Sequence, residues 1–140
     1  DGKFWVNDHF MFLHGDKHSS TLGMTARKQL ANGVSVGYGH IHRRELLYDR
    51  RPVRNGTIPI FAGSPGSLCK ITGQVPSTRT GIAASGKQLD SHAENWHQGI
   101  WVFRFEEGGD QRVFLEPVEF EGGFTFFRGQ PLVGKDRIDV

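Results

Sequence analysis

The stretch Val34-Ser35-Val36-Gly37-Tyr38-Gly39-His40-Ile41-His42 reads as a buried strand that ends on Gly-His-x-His, and Phe10-Met11-Phe12-Leu13-His14-Gly15-Asp16 reads as an earlier strand that ends on a histidine. About one helix separates them. Two strands joined by a single crossover become parallel neighbours, and such sheets bind ligands at the carboxyl ends of their strands. His14, His40 and His42 are therefore expected to converge within about 8 Å of one another even without metal. Three neutral imidazoles form a donor set that suits Zn, Mn or Fe. Alternation along an extended segment would point His40 and His42 the same way. Gly37 and Gly39 would remove side chains where backbone passes that centre.

Working outward, Ser19 or Ser20 can cap a helix of about 20–31, which Asn32-Gly33 stops. Leu22, Ala26 and Leu30 form its apolar stripe, with Arg27 and Lys28 off it. Ahead lies Phe4-Trp5-Val6, joined to Phe10–Leu13 through the turn Asn7-Asp8-His9. Beyond Gly-His-x-His, strands are expected at Glu45–Tyr48 and Ile58–Ala62. In the last third, Ile100–Phe105, Val113–Phe120 and Phe124–Phe127 are separated by Gly108-Gly109 and Gly122-Gly123, a meander signal in which Trp101, Phe103 and Phe105 share one face. Residues 73–98 are polar and Gly-rich with little alternation. A loop of that length is commonly functional, so it is read as a candidate lid beside the site, with a plain surface excursion as the competing reading.

The chain has 140 residues, a net charge of +2 and one cysteine, Cys69. That length reads as a single domain. Residues 1–60 hold nine Lys or Arg against five acids, and residues 101–140 hold five against eight. The basic excess gathers at Arg43, Arg44, Arg50, Arg51 and Arg54, which suits a polyanion such as nucleic acid, or simply a solvated strand edge. A lone cysteine excludes an internal disulfide framework. No apolar run approaches membrane-spanning length and no signal peptide is visible, so a cytoplasmic protein without membrane partners is expected.

The ordered set His14, then Gly39-His40-Ile41-His42, then Gly63-Ser64-Pro65-Gly66-Ser67-Leu68 resembles the C-terminal half of the calcineurin-like metallophosphoesterases, in a branch related to bacterial and phage enzymes. Asn95-Trp96-His97-Gln98-Gly99 onward also resembles that family's later strands. Ser64 stands where the family usually carries Asn. The resemblance implies an α+β chain, mostly β with one clear helix, forming the C-terminal portion of a four-layer α/β/β/α sandwich. It implies a hydrolase that cleaves phosphate esters, nuclease-like or phosphodiesterase, with two divalent ions, Mn foremost and Fe or Zn as options. His14 and His40 would share one ion and His42 would reach its neighbour.

Asp16 is read as orienting His14 or as a helix cap, capping being the simpler role. Gly39, Ser64 and Gly66 are candidates for contact with phosphate, the last two as a turn whose amides face it, with a plain turn between strands as the alternative. His18, His92 and His97 have no evident partner.

The family's upstream ligands, an Asp-x-His, a Gly-Asp and an Asn-His, have no counterpart in this order. Asp16-Lys17-His18 spells the first of them, but 21 residues before His40 leave no room for two more strand-and-helix units. Residues 1–140 are thus expected to be a partial domain whose partner is the missing N-terminal half, in keeping with Asp1 as the first residue. The strand Phe10–Leu13 would then lack cover on one face, and the isolated chain would aggregate or oligomerise. A non-catalytic phosphoesterase-like scaffold is the alternative function. A cupin-type jelly roll, suggested by His-x-His with Glu45 following, fits poorly in spacing and has no place for the helix.

Overall fold

The computed structural model describes residues 2–15, 19, 21–68, 96–108 and 111–134. Asp16, His18, Cys69, His92 and residues 73–95 of the long loop lie outside the described residues. The chain is α+β, mostly strand. In order come β1 (Lys3–Asn7), β2 (Phe10–Leu13), α1 (Met24–Leu30), β3 (Ser35–Tyr38), β4 (Arg44–Val53), β5 (Gly56–Pro65), β6 (Gln98–Phe105), β7 (Val113–Phe120), β8 (Phe124–Phe127) and β9 (Gln130–Val133). Among the described residues no helix is long and apolar enough to cross a membrane.

The expected pairing of β2 with β3 is present: the two run parallel, from Phe10 opposite Ser35 to Leu13 opposite Tyr38. The β1–β2 hairpin also forms as read, with Phe4 opposite Phe12. The five-stranded sheet has the order β1-β2-β3-β5-β4. β5 runs parallel to β3 and antiparallel to β4. The chain therefore leaves β3, skips over one strand position to build β4, and returns by a hairpin to fill the gap with β5. This skip puts the ends of β2, β3 and β5 on one edge, together with the start of β4.

Alternation along the short strands divides their side chains between two faces. Met11, Val36, Tyr38 and Ala62 are buried against Ala26 of α1, with Leu13, Leu30 and Leu47 packed around them. The opposite face carries Phe10, Phe12 and Phe61. It is covered by Phe103, whose ring centroid lies 5.0 Å from that of Phe10 and 5.5 Å from that of Phe12, and by Trp101, 6.3 Å from Phe61. The aromatic face read from β6 thus packs inward, and the described layers are helix, sheet and aromatic hairpin.

This corrects the expectation that β2 lacks cover. Phe10 is 0% and Met11 2% exposed, with β1 paired along the strand's outer edge. The sheet's outer strands are instead β1, where Phe4 and Trp5 are exposed, and β4, where Tyr48 and Val53 are exposed. Gly37 also has a different role from the one expected. A Cβ there would meet the Phe12 ring at 2.5 Å, so the glycine makes room for an aromatic core rather than for a metal centre.

The helix is shorter than expected. It begins after Gly23, which has a left-handed φ of 73° and supplies no side-chain cap, and Leu22 of the expected stripe is exposed. The cap comes from β4. The Glu45 carboxylate accepts hydrogen bonds from the Gly23 amide at 3.2 Å and the Ala26 amide at 3.0 Å, and from the Tyr38 hydroxyl. Arg43 stands 3.9 Å from the same carboxylate and donates to the Ser19 carbonyl at 2.6 Å. Helix amides, a phenol and a guanidinium thereby satisfy a carboxylate that a cupin reading would have turned towards the histidines.

Two expectations follow. Phe10→Ala empties the centre of the aromatic face and should cost about 3–5 kcal/mol in urea unfolding. Burial raises the Tyr38 phenol well above the ordinary tyrosine range, and its bond to Glu45 and the charge of Glu45 raise it further. Because the folded value lies above the unfolded one, the associated stability is present below about pH 10 and is lost as pH rises beyond it. Tyr38→Phe should flatten that alkaline loss of stability when the urea midpoint is followed from about pH 9 to about pH 11.

Candidate metal centre

Leu13 and Tyr38 form the last rung between β2 and β3, so His14 and Gly39 leave the sheet together. The Gly39 amide donates to the His14 carbonyl at 3.1 Å. A Cβ on Gly39 would lie 3.4 Å from that carbonyl and 4.0 Å from His14 Nδ1, ordinary van der Waals contacts, so the approach of the two strand ends does not depend on the glycine. The next residue brings its imidazole to the first one: the His14 and His40 ring centroids are 5.4 Å apart, inclined at 72°. Both residues are exposed, and both are open to an ion or a substrate arriving from solvent.

Gly39-His40-Ile41-His42 is not the extended segment expected. His40 has φ 68° and His42 φ 53°, in the left-handed region that non-glycine residues seldom occupy. The cause is topological. β4 lies beyond β5, and the chain crosses the end of β5 in only five residues, 39–43. Ile41 is drawn into the core in passing. His40 stays exposed and His42 is half-buried, so the two histidines reach different surroundings through bends, not through strand alternation.

His42 meets the end of the 73–98 segment, where sequence reading left His97 without a partner. Its ring lies 4.3 Å from the Trp96 ring at 84°. The His97 amide donates to the His42 carbonyl at 2.9 Å, and the Ser67 amide donates to the His97 carbonyl at 2.9 Å. His97 Nδ1 accepts from the Arg44 amide at 3.2 Å, across 53 positions of sequence. Burial holds the His42 imidazole below its ordinary pKa, and repulsion from His40 and then His14 adds to the effect, which places all three rings in one electrostatic neighbourhood. Burial also lowers His97, assisted by Arg44 and opposed by Glu121.

Among the described residues His42 Nδ1 is buried with no hydrogen-bond partner. A neutral imidazole is the form in which histidine binds borderline metals, and with Nδ1 buried it is Nε2 that would meet an ion. The donors fit a divalent ion on that ground, as part of a larger set. Among the described residues no group of three or more His, Cys, Asp and Glu side chains is gathered to hold an ion by itself. His14 and His40 make a pair, with His42 beside them.

The other nominated residues take structural positions. Ser64 is buried, and its Oγ accepts from the Gly66 amide at 3.3 Å, so neither group is turned to a phosphate. Gly66, with φ 96°, lies where a Cβ would come within 2.4 Å of the His97 carbonyl. Its role is a close approach between backbones. The basic run is also largely occupied. Besides Arg43, Arg44 pairs with Glu119 at 2.8 Å, Arg50 donates to Thr57 Oγ1 at 2.7 Å, and Arg51 donates to the Gly33 carbonyl at 2.8 Å.

Gly66→Ala would combine a strained φ with that backbone collision and should destabilise the protein by roughly 2 kcal/mol or more, read by thermal or urea denaturation. No protein-family model, no curated protein and no solved structure matches this chain.

Proposed function

We propose that this chain supplies the C-terminal metal ligands of a two-metal phosphoesterase acting on phosphodiester or nucleic-acid substrates. One observation carries the reading: His14 and His40 meet at the shared carboxyl edge of two parallel strands, with rings 5.4 Å apart and open to solvent. His14 and His40 would hold one ion, and His42, kept neutral by burial, would serve its neighbour. Divalent ions in such a centre, Mn foremost and Fe or Zn as options, stabilise charge on phosphoryl oxygens and make water more acidic. The remaining ligands would come from outside the described residues, either from Asp16 and its neighbours or from a preceding half of the domain and of its four-layer sandwich.

This chain's own part is positional. The bond from the Gly39 amide to the His14 carbonyl ties the strand ends, the two bends send His40 outward and His42 inward, and the open edge leaves room for a substrate ester. Recognition of a polyanion does not follow from the arginine run, since Arg43, Arg44, Arg50 and Arg51 are engaged within the protein.

The alternative, a phosphoesterase-like scaffold without catalysis, is favoured by the lack of a gathered ligand set among the described residues. Hydrolysis of bis(p-nitrophenyl) phosphate with added Mn separates the two. The full-length protein should turn the substrate over, and His40→Ala should lower kcat/KM by roughly a hundredfold or more. The 140-residue chain alone should show little activity. Chelator-sensitive turnover by that chain would mean that the ligand set is complete within it, and inactivity of the full-length protein with Mn, Fe or Zn would favour the scaffold.

A further inference from the structure

We infer that Trp96 is the positioning residue for His42, holding its imidazole by edge-on packing where metal sites ordinarily use a hydrogen bond. The inference rests on the metal reading of His42 and adds a residue that neither the motif nor the strand order supplies.

A ligating imidazole is normally fixed by a carbonyl or carboxylate bonded to its other nitrogen, which sets both tautomer and ring orientation. Among the described residues His42 lacks that device, because its buried Nδ1 has no hydrogen-bond partner there. A half-buried ring with no such bond is free to turn about its side-chain torsions unless packing stops it. The described aromatic contact that stops it is Trp96, with centroids 4.3 Å apart and planes at 84°. Edge-to-face pairs of this kind favour one relative orientation through the charge distribution of the rings.

The backbone around Trp96 is itself fixed. The next residue, His97, bonds through its amide to the His42 carbonyl at 2.9 Å, and its carbonyl accepts from Ser67 at 2.9 Å. Its Nδ1 takes the Arg44 amide. Gly66 and Gly99 leave no space for movement: a Cβ on either would come within 2.4 Å of a carbonyl, that of His97 or that of Pro65. The indole therefore rests on a rigid three-way junction of residues 42–44, 64–67 and 96–99. His14 and His40 meet each other across an exposed edge, whereas His42 is oriented from behind.

The test uses Co2+ as the probe, with three full-length proteins: wild type, Trp96→Ala and Trp96→Phe. Metal-free NMR reads the contact first. The His42 ring protons should be displaced upfield by the indole in wild type, and the displacement should vanish in Trp96→Ala. Co2+ titration then reads the role. Trp96→Ala should weaken Co2+ affinity by about tenfold or more, and Trp96→Phe, which keeps an aromatic edge, should recover most of it. With every tryptophan of the full-length protein except Trp96 replaced by Phe, bound Co2+ should quench Trp96 emission, and His42→Ala should reduce the quenching. Where Trp96→Ala does not fold, Trp96→Phe and the quenching decide. Wild-type Co2+ binding that is unchanged in Trp96→Ala, or that leaves Trp96 emission unquenched, overturns the positioning role while the metal reading survives. A wild type that shows the NMR displacement but does not bind Co2+ overturns the metal reading, and the positioning role falls with it.

Discussion

The Glu45 carboxylate is the interaction on which the arrangement of this edge depends. It sits at the start of β4, and it takes the phenol of Tyr38 from the end of β3. That single contact closes residues 39–44 into a short loop, so the histidine segment is clamped at both ends. The same carboxylate accepts two amides at the head of α1 and lies beside Arg43, which holds the Ser19 carbonyl. A largely desolvated carboxylate is costly unless satisfied, and here helix, strand and preceding loop all contribute to satisfying it. Removing any one of these partners leaves the others uncompensated, which couples the helix position to the histidine loop.

Around that clamp the fold is organised by two apolar faces of different character. The face towards α1 is aliphatic, and the face towards β6 is aromatic. Strands of four residues are too short to hold register by hydrogen bonds alone. Packing on both faces does that work, because a shift of one residue would exchange the faces. Phe12 shows how tight the aromatic side is, since it fits only where Gly37 carries no side chain. The register fixed in this way delivers His14 and Gly39 to the same level of the sheet.

Much of this was legible in the sequence. The apolar runs of β2 and β3 with one helix between them specified parallel neighbours, and the alternation of Trp101, Phe103 and Phe105 specified one shared aromatic face. The pairing of His14 with His40 followed from those readings. The bends at His40 and His42 were not legible, because they result from β5 taking the place between β3 and β4, and nothing in residues 39–43 records that strand order. The helix start was misread for a similar reason: its cap is Glu45, 22 residues from Gly23, not a neighbouring serine. Residues 96 and 97 were read only within a lid candidate and a later-strand resemblance, and their contacts with His42 and Arg44 were missed because those two partners lie more than 50 positions away. The strand β9 was missed as well. Gln130-Pro131-Leu132-Val133 is short and contains a proline, which demotes a strand signal.

The left-handed backbone at His40 and His42 has to be maintained against a local cost of about 1–3 kcal/mol per residue. Glycine at either position would relieve it, as glycine does at 15, 23 and 66 in the same neighbourhood. The sequence instead retains imidazoles there, and the surroundings enforce the bends: Ile41 is anchored in the core, the His42 carbonyl is bonded to His97, and Tyr38 is tied to Glu45. A conflict between local preference and imposed conformation that falls on two histidines of one short loop is the pattern expected where side-chain chemistry outweighs backbone comfort. The strain, the exposed His14–His40 pair and the unpartnered His42 nitrogen therefore point to the same few residues, each by a different physical route.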